Sequence, residues 1–170
     1  MKAKELVDQY LTSGHGSCPG CAMPIVMRTA LTALGPKTVA VVTAGCFGTI
    51  SGVYPNSPIK IAAYNTPFPS GAAAGSGVRA ALDMKGEKDT TVLAIAGDGG
   101  TFDIGIQALS AAAERNDDFI FLCYDNEAYM NTGIQRSSAT PWGAWTTTTP
   151  ASGLKSQPKK DVMQIIAAHH

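Results

Sequence analysis

No stretch of this sequence approaches the run of about eighteen apolar residues that a membrane-spanning helix needs. The opening residues, Met1-Lys2-Ala3-Lys4-Glu5-Leu6, lack the apolar centre of a signal peptide. Charge of neither sign prevails: 13 Lys and Arg stand against 13 Asp and Glu. A balanced surface gives no electrostatic reason to seek nucleic acid or an anionic membrane. Aromatic residues are scarce, at 7% of the chain, and no internal repeat is evident. Cysteine is sparse too, with 4 in 170 residues. These absences make a cytoplasmic chain the expectation, without nucleic-acid or membrane partners. In a reducing compartment the cysteines are expected as ligands or buried thiols rather than disulfides. What remains is 45% apolar, rich in Gly and Ala, and of a length that fits one domain.

The most informative stretch is Ile95-Ala96-Gly97-Asp98-Gly99-Gly100-Thr101-Phe102-Asp103. It follows an apolar run over residues 91–96, which reads as a buried parallel strand. It precedes a helical pattern over residues 102–115, with Ile104, Ala108, Ala111 and Ala112 expected on the core face. A small-residue turn carrying one carboxylate therefore lies at the C-terminal end of a strand, where open α/β sheets bind ligands. Glycines let backbone approach a phosphate, and a helix N-terminus favours an anion. Asp98 makes sense beside an anion only if a cation lies between them. A second apolar strand, residues 119–124, leads into Asp125-Asn126-Glu127-Ala128-Tyr129-Met130-Asn131-Thr132-Gly133. Asn126 comes 28 residues after Asp98, at the end of the next strand. Neighbouring strand ends would bring both side chains to one cation. The bland alternative is that Gly97-Asp98-Gly99 is only a turn. Asp103, in the first turn of the following helix, suits the helix dipole and needs no catalytic role.

The rest of the chain reads as further β–α units. Residues 1–13 are expected to form a short helix and an approach loop. Helix 23–34, with Pro24 in its first turn, ends at Gly35-Pro36. Strand 38–43 runs into a turn at Ala44-Gly45-Cys46-Phe47-Gly48. A Gly/Pro/Asn-rich loop at 51–58 precedes strand 59–64 and an Ala-rich helix over 71–85. Gly75-Ser76-Gly77-Val78-Arg79-Ala80 formally fits a dinucleotide-binding fingerprint. It sits inside a helical pattern, without a strand just before it or an acidic residue closing a later strand. Close helix packing is the simpler account. Residues 133–158 form a long loop, a length that usually covers a site or a partner. Within it Trp142 and Trp145 suit a partner surface or ordinary loop packing. An amphipathic helix is expected over 161–170.

Cys18 and Cys21, in Gly14-His15-Gly16-Ser17-Cys18-Pro19-Gly20-Cys21, form a tight C-x-x-C turn, and Cys46 lies at a strand end. Three readings are open from the residues alone. A thioredoxin-like pair lacks its preceding strand. A structural zinc site lacks a second close pair. An iron–sulfur cluster takes thiolates that are dispersed in sequence. Cys123 lies inside a strand and reads as a core thiol, while His169 and His170 are conceivable further ligands.

The Gly97-Asp98-Gly99 turn with its following Asn126 resembles the thiamine diphosphate motif. The longer string Tyr124-Asp125-Asn126-Glu127-Ala128-Tyr129-Met130-Asn131-Thr132-Gly133-Ile134-Gln135-Arg136-Ser137-Ser138 resembles the β subunit of pyruvate:ferredoxin oxidoreductase and its 2-oxoacid relatives. The resemblance runs from Gly14 to about Lys160. It implies an α/β fold, a parallel sheet flanked by helices, that binds thiamine diphosphate. It implies Mg²⁺ on Asp98, Asn126 and the Ala128 carbonyl, and a diphosphate cradled by Gly97, Gly99 and Gly100. Met23 and Cys46 would lie near the thiamine. Glu127, Ala128, Tyr129 and Met130 would complete the cofactor loop, and Asn131 would point toward the substrate as the catalytic side chain. Cys18, Cys21 and Cys46 match three ligands of one [4Fe–4S] cluster. The fourth would come later in the family's sequence, so the chain is expected to be the N-terminal part of a longer subunit.

The implied activity is oxidative decarboxylation of a 2-oxoacid, with electrons passed to ferredoxin. Pyruvate is the first choice of substrate, and oxalate, phenylglyoxylate and branched 2-oxoacids are the others. Coenzyme A is the implied acyl acceptor. The implied partners are the α, γ and δ-type subunits, one of which supplies the activating glutamate. Two rival readings stand beside this one. One is a non-redox thiamine diphosphate decarboxylase or carboligase; the other is a metal-binding docking module of an electron-transfer complex.

Overall fold

The computed structural model describes residues 9–149 and 153–169. The expected short helix at the start falls mostly outside these residues. Helix α1, Met23–Leu34, begins at Pro24's turn and stops where Gly35 takes φ +80°. Strand β1, Thr38–Thr43, is followed by a short helix α2, Cys46–Ser51, then β2, Ala62–Thr66, and α3, Gly71–Met84. Strand β3, Thr91–Gly97, leads through a π-helical turn, Gly99–Asp103, into α4, Ile106–Glu114. Strand β4, Ile120–Tyr124, and a last helix α5, Val162–Ala167, are separated by a long irregular segment.

All four strands are parallel, in the order β2-β1-β3-β4. The chain moves from β1 outward to β2, crosses back to β3, and moves outward again to β4. The order therefore reverses between β1 and β3, and a crevice opens beyond their C-terminal ends.

In the two central strands, β1 and β3, side chains alternate between two buried faces, while β2 and β4 are largely exposed or half-buried. On one face Ala40, Val42, Leu93 and Ile95 pack with Met23, Met27 and Leu31 of α1 and with Phe47 and Ile50 of α2. On the other, Val41, Val92 and Ala94 pack against Ala74, Val78 and Leu82 of α3. A third cluster joins Phe102, Ala139 and Val162, with Cys123 and Ile166 against it. Burial of a Leu, Ile or Phe side chain contributes about 1.5–3 kcal/mol, so these layers hold the strand ends in place.

Several expectations shift. The strand expected at 59–64 lies at Ala62–Thr66. Residues 58–60 are already engaged by the incoming chain: Leu11 and Ile59 form an antiparallel bridge, and Lys60 N–H donates to Tyr10 O at 2.9 Å. Cys46 opens a helix rather than a plain turn, after Gly45 at φ +143°. Ile104, expected on the core face, is 53% exposed. The π-helical turn, closed by Ile104 N–H to Gly99 O, adds a residue and rotates the helix that follows. Of the named alanines, Ala112 is the buried one in α4. At Gly75 a Cβ would meet the Phe119 ring at 3.1 Å, so close packing does explain this glycine, whereas Gly77 faces open space.

Candidate functional site

The end of β1 and the end of β3 form the two walls of the crevice. Gly97, Asp98 and Gly99 come from β3, Ala44, Gly45 and Cys46 from β1, and Tyr124 and Asn126 from β4. With Phe68 and the loop from Ala128 to Thr132 they line a cavity of about 300 Å³. The glycines are dictated by what crosses them. A Cβ on Gly97 would lie 3.0 Å from the Tyr124 ring, and one on Gly99 only 2.4 Å from Tyr129. Gly105 is the most demanding, because its Cβ would stand 2.1 Å from Gly100 O.

Asp98 is 1% exposed, and among the described residues no Lys, Arg or His forms an ion pair with it. Burial pushes its carboxyl above the usual range, opposed by the Ser137 hydroxyl, which donates to Oδ2 at 2.5 Å. One end of the Asn126 amide lies 2.9 Å from Asp98 Oδ1 and 3.1 Å from the Ala128 carbonyl oxygen. An octahedron with metal–oxygen distances of about 2.0–2.1 Å has edges of about 2.8–3.0 Å. With its oxygen at that end, Asn126 stands about one octahedral edge from each of the other two oxygens. The donor set, hard oxygens with one carboxylate, is that of Mg²⁺. A cation there would supply a counter-charge to the buried Asp98 carboxylate.

The corner formed by Asp98, Asn126 and Ala128 is held by the loop that follows β4. Glu127 takes φ +67°, and its carbonyl accepts from Thr140 Oγ1 at 2.5 Å. The side chain of Glu127 is exposed toward Lys159, outside the cavity lining. Tyr129 Oη donates to Asp103 Oδ2 at 3.1 Å, and Ser138 N–H donates to the same oxygen at 3.0 Å. Lys160 pairs with Asp103 from below and donates to Phe102 O. Burial opposes ionisation of Asp103, but the bonds from Ser138, Tyr129 and Lys160 outweigh it and hold the carboxyl below its usual range. Lys155 is 2% exposed and donates to the carbonyls of Ser138, Thr140 and Pro158. The long loop is thus folded onto the site. Trp142 and Trp145, at 69% and 55% exposure, stand outside it. Gly100 is buried in the π-helical turn beneath the cavity. Met130 and Asn131 lie at the cavity mouth, where Asn131 Oδ1 accepts from Thr49 Oγ1 at 3.1 Å.

A second cavity of about 590 Å³ lies behind the first. Cys18, Cys21 and Cys46 line it together with Met23. The C-x-x-C turn is tight, with Cys21 N–H donating to Cys18 O at 3.1 Å and Gly20 at φ +79°. All four cysteines are unpaired. Burial pushes the Cys46 thiol above its usual range. Among the described residues no three His, Cys, Asp or Glu side chains converge on a single metal ion. A four-iron cube takes each thiolate at its own corner, so its ligands stand farther apart than those of one ion, and cavity and donors suit such a cluster. Cys123 borders this cavity too, yet its side chain packs with Phe102, Ala139 and Val162 on the far face, and burial raises its thiol to about 11. That is a core thiol, as expected. His169 is bonded to Ser110 at 2.9 Å, and His170 lies outside the described residues. Cys46, Tyr124, Asn126, Met130 and Asn131 line both cavities and form the wall between them.

Sequence reasoning missed Ser137, Gly105 and the clamp on Asp103. Gly105 was visible only as a glycine near a helix start. Ser137 lies 39 residues from its partner Asp98, with no local signal for the pairing.

A parallel sheet with a small-residue turn and a buried carboxylate at its switch point has the layout of an α/β ligand-binding domain. The family described as thiamine pyrophosphate enzyme, C-terminal TPP binding domain, matches residues 43–170, and the chain belongs to it. In sequence it is similar to pyruvate synthase subunit PorB of Methanothermobacter thermautotrophicus, 50% identical over 95% of this chain and 57% of that protein. It is also similar to ketoisovalerate oxidoreductase subunit VorB of Pyrococcus furiosus, 46% identical over 95% of this chain and 55% of that protein. The chain therefore spans little more than half the length of these curated relatives. A solved structure, 2-oxoglutarate:ferredoxin oxidoreductase from Magnetococcus marinus with 2-oxoglutarate, coenzyme A and succinyl-CoA bound, shares the fold. The TM-score is 0.79 at 22% identity, over 99% of this chain and 56% of that one. Among the described residues no helix is long and apolar enough to cross a membrane.

Proposed function

We propose that this chain is the thiamine diphosphate-binding part of the β subunit of a 2-oxoacid:ferredoxin oxidoreductase of the pyruvate synthase type. The observation that carries the reading is the oxygen triangle of Asp98, Asn126 and Ala128, set one wall away from a cavity lined by Cys18, Cys21 and Cys46. Asp98, Asn126 and the Ala128 carbonyl hold Mg²⁺, and the Gly97–Gly100 turn accepts the diphosphate. The three cysteines hold a [4Fe–4S] cluster whose remaining ligand is not Cys123. Thiamine diphosphate, when bound, supplies the electron sink for decarboxylation of the 2-oxoacid.

This chain's residues position and enclose. Tyr129 and Phe68, with ring centroids 5.8 Å apart, wall the cavity on its apolar side. Asn131 presents its amide at the mouth, where substrate enters. Cys46 and Asn126 form the boundary between the cofactor cavity and the cysteine cavity, where a bound cluster would supply the route for electrons toward ferredoxin. Coenzyme A takes the acyl group. The family resemblance puts the carboxylate that activates the aminopyrimidine on an α-type partner, and on that reading the isolated chain is inactive. Pyruvate is the first substrate, and branched 2-oxoacids the second, in line with the names of the two relatives.

The test is anaerobic. The assembled protein is given 2-oxoacids one at a time, with and without coenzyme A, while iron–sulfur absorbance is followed. Bleaching with pyruvate or a branched acid is the expected result. A colourless, iron-free protein that still decarboxylates would replace this reading with a non-redox thiamine enzyme. Iron present without response to any acid would favour a docking module.

A further inference from the structure

Asn126 stands in the wall between the two cavities, and both ends of its short amide are engaged. One end meets Asp98 Oδ1 at 2.9 Å and Ala128 O at 3.1 Å. The other end lies 3.7 Å from Cys46 Sγ, a distance that admits an N–H···S hydrogen bond when the nitrogen is the atom on that side. A primary amide has two donors at one end and only acceptor capacity at the other. Two orientations are therefore available, related by a half-turn of the amide.

With NH₂ toward Asp98 and Ala128, both oxygens are satisfied without a cation, and the amide oxygen faces the sulfur, which as a cluster ligand carries no proton to donate, so that acceptor stands against acceptor. With Oδ1 toward them, three oxygens crowd one another, which a cation repairs, and NH₂ turns onto Cys46. Each orientation satisfies one side of the wall, and the occupant of the cation corner decides which. A group between two sites with two discrete arrangements, biased by one of them, is the physical requirement for coupling.

We infer that Asn126 couples the cofactor site to the cysteine site: binding of the cation with its diphosphate turns the amide NH₂ onto Cys46 and gives that sulfur a hydrogen bond it lacks in the empty site. The inference rests on the reading of Asp98, Asn126 and Ala128 as cation ligands and of Cys46 as a cluster ligand. Hydrogen bonds to ligating sulfurs help to set a cluster's reduction potential. An N–H donor favours the reduced, more negative form. The cluster thus accepts an electron more readily when the cofactor is in place.

The experiment uses the assembled complex, stripped of cofactor and then reloaded with Mg²⁺ and thiamine diphosphate. The cluster is identified as the paramagnetic signal that Cys46→Ser alters, and its midpoint is read by redox titration without substrate. A net hydrogen bond of about 1–1.5 kcal/mol corresponds to a shift of roughly tenfold in the reduced-to-oxidised ratio. For a one-electron couple that is about 59 mV. Loading is expected to raise the midpoint by this order in the wild type. Asn126→Asp and Asn126→Thr each keep an oxygen for the cation and lose the N–H, and cofactor retention in each is read by calorimetry. In whichever variant retains cofactor, loading is expected to leave the midpoint without that rise. An equal rise in wild type and cofactor-retaining variant would overturn the coupling, because the cation's charge alone would then explain it. No rise in the wild type would overturn it as well, while a Cys46-dependent signal would leave the cluster assignment standing. Iron absent, or no signal responding to Cys46→Ser, would overturn both.

Discussion

Ser137→Ala tests whether the buried carboxylate is tuned by a loop that returns to it from far along the chain. Ser137 is 1% exposed, and its hydroxyl donates to Asp98 Oδ2 at 2.5 Å while accepting from Ala139 N–H at 3.1 Å. Alanine removes the donor and leaves room for one oxygen atom. A hydrogen bond to a charged group contributes about 1.5–3 kcal/mol, and loss of a residue that orients a metal ligand costs about 10–100-fold in affinity. The two ranges agree, since tenfold in affinity is about 1.4 kcal/mol. Asp98 ionises less readily without the donor, because the hydroxyl opposes what burial does to its pKa. Cation-dependent binding of thiamine diphosphate should therefore weaken about 10–100-fold. The pH below which binding fails should move upward. Ser137→Thr keeps the hydroxyl and should bind far closer to the wild type. Calorimetric titration of thiamine diphosphate into the assembled protein at saturating Mg²⁺ measures both variants. A Ser137→Ala protein with unchanged affinity and unchanged pH dependence would refute the reasoning.

Gly99→Ala drives a Cβ to within 2.4 Å of the Tyr129 ring. Overpacking of this kind costs about 1–3 kcal/mol, and the displaced ring also gives up its bond to Asp103, so the melting temperature should fall and cofactor binding with it. Leu31→Ala, at a fully buried position of α1, should cost about 2–5 kcal/mol in denaturant unfolding while leaving cofactor affinity near the wild-type value. Asp103 is held below the usual carboxylate range in the fold, so its bonds contribute stability above the unfolded pKa and lose it as pH falls through the folded one. Asp103→Asn should flatten that acid limb, and an unaltered limb in urea unfolding at stepped pH would count against the clamp. Lys155→Met leaves the Ser138, Thr140 and Pro158 carbonyls without their shared donor, and thermal unfolding should register a loss of about 1–3 kcal/mol.

Taken by itself, the sequence determined the strands and the chemistry at their ends. Apolar runs marked β1 and β3, because a strand buried on both faces has few polar residues to interrupt it, and a further apolar run marked the half-buried β4. Gly97-Asp98-Gly99 and Asn126 were legible because each follows such a run directly, and the paired Cys18 and Cys21 because a C-x-x-C turn is local. Tertiary structure decided what depends on chain returning from a distance. Strand β2 starts later than its apolar pattern because residues 10–12 engage residues 58–60 first. Ile104 faces outward because a π-helical turn, imposed where Gly105 crosses Gly100 O, shifts the phase of α4. Cys46 at a strand end and Cys123 inside a strand were already separable in sequence, but only the fold packs Cys123 against an apolar cluster and brings Cys46 to the cavity of Cys18 and Cys21. Ser137, Lys155 and Lys160 acquire their roles only when the loop after β4 closes over the sheet. Periodicity is a property of neighbours along the chain, whereas a buried carboxylate is completed by whatever the fold delivers to it.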